Sequence, residues 1–256
     1  MNSQKTPLFF IDRNDLVVGL HVALSEEEMS PIKARRLSDG AIIRVFNRKN
    51  DRFKARLNIE SNRSFSIEIA EEEMDTNNTN PRFYLFQAMP KLKKMDDIIR
   101  MTTELGVSGI FPMITEHVVK RSDDDSYVKM KKRYDDIVIA AVRQSNLSYI
   151  SKIHESLLTF KESLDFIDAH FENEQPLRIL FFENETEHTL KQIMDEPTNS
   201  RDVVFLIGPE GGFSKREVDE ALSRGFRIVN LKCDTLRTET AAAVVLSAMR
   251  YHLGML

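Results

Sequence analysis

Hydrophobic residues follow two different patterns along this chain of 256 residues. In roughly the first 70 residues they alternate with polar residues or form short runs, at Ala41–Phe46, Arg52–Ile59 and Phe65–Ile69. A period of two is typical of a strand with one wet face, and Asp39-Gly40 has the composition of a turn. The pattern therefore predicts a small, mostly antiparallel barrel or sandwich.

Residues 71–82 break this pattern. They are acidic residues, Asn and Thr, followed by Pro81, and such a composition cannot pack a core. We therefore expect a β domain over residues 1–72, a linker over 73–82 and a second domain over 83–256.

The second domain alternates apolar runs with helical patterns. The strand candidates are Phe83–Met89, Gly109–Ile114, Ile179–Phe182, Val203–Ile207 and Ile228–Leu231. The helical patterns cover about 95–105, 129–146, 159–171, 186–194, 214–224 and 239–253. Strands that alternate with helices of this length predict an α/β fold, with a parallel sheet and helices on both of its faces.

Amino-acid composition excludes several classes of protein. The chain is 41% hydrophobic and 30% charged, and its nine Gly and eight Pro exclude a collagenous or low-complexity chain. A single cysteine, Cys233, excludes an internal disulfide and a Cys-ligated metal cluster, and the six histidines show no metal-ligand spacing. There is no apolar run of about 18 residues and no signal-type block at the start, so we expect a cytoplasmic chain.

Charge is distributed unevenly. The whole chain has a net charge of −4, whereas residues 31–63 carry ten basic and three acidic side chains, a local balance of +7. Such asymmetry either marks contact with a polyanion or is a solvated face that keeps the protein soluble. The candidate RNA contacts are Arg36, Arg52, Lys54 and Arg56, together with Lys91 further along the chain.

The strongest local motif is rich in glycine. Three of the nine glycines, Gly208, Gly211 and Gly212, fall within five residues, directly after a buried strand. Ser214 can cap the helix that follows, with Glu217 completing a capping box. The spacing is neither that of a Rossmann fingerprint nor that of a P-loop. The motif is a tight turn or, favoured by the Pro-Glu pair between the glycines, a ligand loop whose bare backbone a ligand can approach.

A second segment, Leu231–Thr240, also joins a strand to a helix and is followed by three alanines, Ala241–Ala243. Thr238 or Thr240 can act as the N-cap. By itself this segment is compatible with an ordinary capped helix that has a small-residue face.

Together the two segments resemble the signature of the SPOUT methyltransferases, and specifically of the RsmE family, which methylates N3 of a uridine in 16S ribosomal RNA. The family's LIGPEGGFS…E pattern matches Leu206–Ser214 with Glu217, and its ILRTETA pattern matches Leu236–Ala241. Further matches are Pro90-Lys91, Met95, Glu104–Val107, Pro112, Gln144-Ser145 and Glu183. The departures are Leu8, Ser30, His117 and Asn146-Leu147, in segments that face RNA or an interface, and Lys232, where the family has Gly.

The resemblance implies a fold and a set of partners. It implies a C-terminal SPOUT domain with a trefoil knot, an N-terminal PUA-like β-barrel that binds RNA, and a homodimer. It implies S-adenosylmethionine as cofactor, no metal, and 16S rRNA within the small subunit as substrate. The implied cofactor residues are Leu180, Phe182, Glu183, Ile207, Gly208, Pro209, Glu210, Gly211, Gly212, Leu231, Leu236, Arg237, Thr238 and Thr240.

The implied chemistry needs a nucleophile to be activated. Uracil N3 is a poor nucleophile until its proton is lost, so the site must orient N3 and assist deprotonation. Candidates for the general base are Glu210 and Glu239, and Arg237 can stabilise negative charge on a uracil carbonyl oxygen or hold a phosphate. Alternatively, Glu239 only caps a helix and Arg237 only pairs with a glutamate.

Two other functions remain open. The chain could be a SPOUT methyltransferase for a ribose 2′-hydroxyl or another base. It could also be a non-catalytic RNA-binding module whose α/β domain serves dimerisation. The intact glycine loop and Leu236–Thr240 oppose the second alternative, because a protein that only binds RNA needs no cofactor pocket.

Overall fold

The computed structural model describes residues 6–61, 63–73, 81–91, 94–118, 124–145, 147–171, 175–196, 202–231 and 236–256. These residues form two compact units, one drawn from Met1–Thr79 and Val142–Ile150, the other from Asn80–Ala141 and Ser151–Leu256. Most of the predicted linker lies outside the described residues, as do Asn146, Lys232 and Cys233.

The first unit is built around a five-stranded sheet. Its elements are β1 (Leu8–Phe10), β2 (His21–Ala23), α1 (Glu26–Ala34), β3 (Ile42–Phe46), β4 (Arg52–Ser61) and β5 (Ser64–Glu73). The strand order is β1-β3-β4-β5-β2, and β1 pairs with β3 in parallel while the other pairs are antiparallel. This agrees with the mostly antiparallel arrangement that the alternating pattern predicts. β5 continues through Glu73, so the strand outlasts the start of the composition break.

Helix α1 is absent from the sequence prediction. Ser25 caps it, and the Glu28 side chain closes a capping box. The helix buries only Met29 and Ile32 against the sheet, and Pro31 lies inside it. A nine-residue helix with two buried apolar residues and an internal proline has almost no helical periodicity to detect.

The first unit also includes Val142–Ile150, which the sequence analysis assigned to the second domain. The Asn50 side chain bonds the backbone of Ile150 twice, accepting from its N–H at 2.6 Å and donating to its carbonyl at 3.0 Å. Arg143 pairs with Asp12 at 2.9 Å. These polar contacts, which hydrophobic periodicity cannot reveal, attach the segment to the first unit.

The second unit contains the remaining elements: β6 (Phe83–Ala88), α2 (Lys94–Glu104), β7 (Gly109–Ile114), α3 (Asp124–Ser145), β8 (Lys152–Ile153), β9 (Leu158–Thr159), α4 (Phe160–His170), β10 (Leu177–Phe181), α5 (Leu190–Asp195), β11 (Val203–Ile207), α6 (Lys215–Ser223), β12 (Arg227–Val229) and α7 (Thr238–His252). The last four residues of α3 are the exception, since they belong to the first unit. The sheet order is β12-β10-β11-β6-β7-β8, with β9 also paired to β7, and every pair is parallel. The predicted parallel α/β sheet is confirmed.

Strand β11 shows why the sheet is covered on both faces. All five of its residues are buried, as expected of a central parallel strand. Val204 and Leu206 belong to one apolar cluster with residues of α4 and α6, while α7 packs against α2 and β11. Because β10 lies between β12 and β11, the carboxyl ends of these three strands are neighbours, where open parallel sheets commonly bind ligands. No helix in the described ranges is long and apolar enough to cross a membrane.

Candidate active site

A cavity of about 360 Å³ opens at the carboxyl ends of β10, β11 and β12. This volume lies within the range of about 300–1,000 Å³ that is usual for small-molecule sites. Its walls come from the residues after the three strands, from the start of α7 and from α2. The lining residues are Phe181, Phe182, Glu183, Val229, Asn230, Leu231, Ile207, Gly208, Pro209, Glu210, Gly212, Leu236, Arg237, Thr238, Ala241 and Lys94.

Eleven of the fourteen residues predicted to contact a cofactor line this cavity. The other three do not. Leu180 is fully buried in the apolar core of the sheet, and Thr240 is exposed on α7. Gly211 faces His117, whose Cβ would lie only 3.1 Å from a Cβ at position 211. That glycine is thus needed for packing between two loops.

The glycine loop folds back on itself before α6 begins. Gly212 has φ +68°, and a Cβ on Gly208 would lie 3.3 Å from the Gly212 backbone. Ser214 caps α6 and Glu217 closes the capping box, as predicted. The other carboxylate oxygen of Glu217 accepts from the N–H of Glu116 at 2.9 Å. The loop is thereby fixed at its exit and tied to the turn that follows β7.

His117 supports the same loop from this turn. Its Nδ1 lies 2.9 Å from the carbonyl oxygen of Gly211 and 3.3 Å from that of Gly212. Since both partners are acceptors, Nδ1 must carry the proton. The departure at position 117 therefore contacts the glycine loop.

Lys94 holds the two glutamates that the sequence analysis named as possible bases. Its Nζ lies 2.9 Å from Glu210 Oε1 and 3.5 Å from Glu239 Oε2, and the hydrogen bond to Glu210 raises the pKa of Lys94. Burial works to raise the pKa of Glu210, but hydrogen bonds from Lys94 and from the Lys91 N–H outweigh it, so the net pKa is lowered. A carboxylate held in this way is a poor proton acceptor.

The two remaining catalytic candidates differ in placement. Glu239 does not line the cavity, and its Oε2 accepts no hydrogen bond from the described residues although Lys94 is near. Arg237 does line the cavity, is exposed, and forms no ion pair with another described residue. A guanidinium in that position is available to a bound ligand.

Thr238 joins the two motif segments. Arg237, not Thr238 or Thr240, occupies the N-cap position of α7, and its side chain makes no capping bond. Thr238 is the first helical residue, and its hydroxyl donates to the Gly208 carbonyl at 2.7 Å. The start of α7 is therefore bonded directly to the glycine loop.

Comparison with known proteins decides the family. Residues 77–250 match the family described as RNA methyltransferase domain, which is more than half of the chain. This chain belongs to the RNA methyltransferase domain family. The cavity and both motif segments lie within the matched residues.

Individual relatives extend this likeness beyond the family domain. The chain is 28% identical to Ribosomal RNA small subunit methyltransferase E of Aquifex aeolicus, covering 90% of this chain and 94% of the relative. The protein of the same name from Buchnera aphidicola is 27% identical over 99% of this chain and 96% of its own. The crystal structure of the Neisseria gonorrhoeae protein of that name, bound to S-adenosyl methionine, has a TM-score of 0.70 and 28% identity, covering 96% and 98% of the two chains.

Five wall residues of this family member are not among those predicted from the sequence: Phe181, Val229, Asn230, Ala241 and Lys94. The first four lie within two positions of predicted residues. Lys94 is different, because it follows β6, whose carboxyl end lies beside that of β11. Strand order, which sequence alone does not provide, brings it to the site.

The basic strand of the first unit has acidic neighbours. Arg52, Lys54 and Arg56 of β4 each lie directly across from a glutamate of β5, namely Glu73, Glu71 and Glu68. Lys54 Nζ lies 2.9 Å from Glu71 Oε2, and this hydrogen bond raises the pKa of Lys54. The local charge balance of +7 is therefore offset by carboxylates just outside the sequence window. Arg36, by contrast, is exposed at the end of α1.

Proposed function

We propose that this chain transfers a methyl group from S-adenosylmethionine to N3 of a uridine in 16S rRNA of the small ribosomal subunit. The observation that carries the proposal is the cavity, built by both motif segments in a member of an RNA methyltransferase family. The named relatives act on small-subunit ribosomal RNA, and one is solved with the cofactor. The choice of uridine N3 follows from the resemblance to the RsmE signature.

The residues present fit this cofactor. Gly208 and Gly212 present no side chain on the wall, so a ligand can approach the backbone there, as recognition of an adenine edge by backbone groups requires. A Cβ at Gly212 would lie 3.8 Å from Glu183 Oε1, so a larger side chain there would fill the space between the two loops. The eleven predicted residues on the wall are the proposed contacts, while Leu180 and Gly211 pack around them and exposed Thr240 is left out.

S-adenosylmethionine, when bound, supplies a methyl group already activated by its sulfonium. The remaining task for the protein is to make uracil N3 nucleophilic. Arg237 is the exposed cation on the wall, and it is placed to stabilise negative charge on a uracil carbonyl oxygen. Stabilising that charge lowers the pKa of N3, so its proton can pass to water while N3 takes the methyl group.

The two glutamates act through Lys94 in this proposal. Glu210 lines the cavity but is held by Lys94 and by the Lys91 N–H, and Glu239 lies behind Lys94. Both then fix the position of the ammonium group rather than accept a proton from uracil. Electrostatic activation by Arg237 thus takes the place of a carboxylate base.

A homodimer is part of the proposal. Helix α7 and the residues after it expose large apolar side chains, with Val244 41% exposed, Tyr251 76% and Leu256 64%. Ala241, Val244 and Tyr251 recur at helical spacing, so they share one face of α7, which begins at the cavity wall. An exposed apolar face is typical of an interface. Light scattering at micromolar concentration tests this, and a fully active monomer would contradict it.

The finer description of the fold rests on the resemblance. We assign residues 1–72 to a PUA-like barrel that holds RNA, and 83–256, without the Val142–Ile150 segment of the first unit, to a SPOUT domain with a trefoil knot, in a cytoplasmic enzyme. Support for an RNA-binding role of the first unit comes from three exposed cations at the carboxyl end of α1, Lys33 in its last turn and Arg35 and Arg36 directly after it, which we call the α1 cations. Because Arg52, Lys54 and Arg56 face glutamates, we give the α1 cations the larger share of phosphate contacts, with the β4 cations and Lys91 contributing less.

Nucleoside mass spectrometry of ribosomal RNA tests the function. Cells that lack this gene should lose 3-methyluridine from 16S rRNA, and the parent gene should restore it while Gly212→Val, which blocks the cavity, should not. Loss of a 2′-O-methyl nucleoside instead would assign the chain to ribose methylation. Unchanged RNA would favour a non-catalytic role.

A further inference from the structure

Gln87 is a fully buried amide near the end of β6, on a strand whose neighbours are apolar. It does not line the cavity. Its side chain lies between the two segments that do, and it contacts both. We propose that Gln87 is a positioning residue that holds the glycine loop and the start of α7 at the separation S-adenosylmethionine requires. This inference rests on the proposed function.

The geometry of the amide supports this role. Gln87 Nε2 donates to Thr238 Oγ1 at 3.1 Å and to the Ala88 carbonyl at 2.9 Å, and the Ile207 carbonyl lies 3.5 Å away. Two of these three acceptors are carbonyl oxygens, which cannot donate. They therefore fix which end of the amide is the NH₂ group.

The contact with Thr238 has a specific consequence. The Thr238 hydroxyl donates its single proton to Gly208 and accepts one from Gln87. With the acceptor side occupied, the hydroxyl keeps the orientation that bonds α7 to the glycine loop. A chain of three groups, from Gln87 through Thr238 to Gly208, thus links β6 to both cavity walls.

Stability alone does not explain a glutamine here. Among the described residues, Gln87 Oε1 has no hydrogen-bond partner although it is fully buried. A buried acceptor that is left unpaired destabilises a fold relative to an apolar side chain of similar size. Polar residues that break the local pattern at such a cost are expected at functional sites.

The first test compares Gln87→Met with Leu85→Met, a buried neighbour on the same strand, in the full chain. Gln87→Met should leave the melting temperature unchanged or raise it by about 2–4 °C. It should weaken binding of S-adenosylmethionine, measured by calorimetry, by about three- to tenfold. Leu85→Met should leave cofactor binding unchanged.

A Gln87→Met variant that melts well below the parent, or fails to fold, shows a merely structural role and overturns the proposal. So does undiminished cofactor binding.

The second test asks whether Gln87 acts through Thr238. Thr238→Val removes the hydroxyl that links Gln87 to Gly208. If the chain of contacts is correct, adding Gln87→Met to Thr238→Val should weaken cofactor binding no further. Independent, multiplying effects would refute it. A parent protein that binds no S-adenosylmethionine refutes the proposed function itself, whereas a parent that binds and variants that bind equally refute only the role of Gln87.

Discussion

At the scale of single residues, Arg237 distinguishes two mechanisms for activating uracil N3: stabilisation of negative charge by a cation, and removal of the proton by a carboxylate base. It is exposed on the cavity wall and forms no ion pair with another described residue, while Glu210 has a lowered pKa and is held by Lys94. Arg237→Gln should therefore lower kcat by about 10²–10³-fold, with a smaller change in KM for RNA. Lys191→Gln on α5, which does not line the cavity, serves as the control.

The same variant offers a chemical rescue. Substrate RNA that contains 5-fluorouridine has a more acidic N3, so it needs less help from a cation. The ratio of activity on 5-fluorouridine RNA to activity on uridine RNA should therefore be larger for Arg237→Gln than for the parent. Equal gains for both proteins would show that Arg237 holds the RNA without activating N3.

Asp168 gives a prediction about pH. It accepts from Arg178 at 2.5 Å and from Arg224 at 2.8 Å. Burial works to raise the pKa of Asp168, but these hydrogen bonds outweigh it and lower the pKa from its ordinary value of 3.8. Its contribution to stability is therefore complete above that value and is lost as the pH falls through the lowered one.

The variant Asp168→Asn checks this sign. It should be less stable than the parent at neutral pH. Between about pH 5 and about pH 3 it should lose less stability than the parent, since it has no carboxylate to protonate at that position. Urea unfolding across this range measures both quantities. Parallel pH curves for the two proteins would show that the bridge contributes nothing.

At the scale of elements, α4 and α6 both begin with a capping box, but only α6 directly follows the glycine loop. Thr159 caps α4 with Glu162, and Ser214 caps α6 with Glu217. Changing either cap residue to Ala should lower the free energy of unfolding by about 0.5–2 kcal/mol. Only Ser214→Ala should also weaken cofactor binding, because α6 follows the glycine loop. An equal weakening of binding in both variants would show that the effect is a general loss of stability.

Sequence pattern located five strands of the second unit within two residues at each end, because buried parallel strands are continuous apolar runs. It missed β8 and β9, which are only two residues long and have no apolar run to detect. It missed α1, whose proline and two buried residues leave no clear period. In the site, it placed both loops but not Lys94, which only the order of β6 and β11 brings to the cavity. It also overstated the charge of β4, because Glu68, Glu71 and Glu73 become neighbours only through the register of β5.

At the scale of the whole molecule, capture of RNA should be sensitive to salt. Binding a phosphate releases counterions, so each cation removed from the RNA-binding surface should flatten the plot of log affinity against log salt by about 0.7 for single-stranded RNA. Replacing Lys33, Arg35 and Arg36 with Gln should flatten this plot more than replacing Arg52, Lys54 and Arg56. Cofactor affinity should be unchanged in both variants. A larger effect of replacing Arg52, Lys54 and Arg56 would show that the main RNA-binding surface lies on β4.

The residues of the cavity wall are synthesised in a fixed order. Thr238 and Ala241, which complete it, are synthesised after every strand of the sheet, including β12. During synthesis, all the strands of the sheet therefore leave the ribosome before the residues that complete the pocket. The cofactor cannot guide the earlier steps of folding, and it can stabilise only chains whose α7 has already docked. A chain that is paused before α7 should then have a sheet whose α7-covered face is still open and a pocket that cannot yet hold the methyl donor.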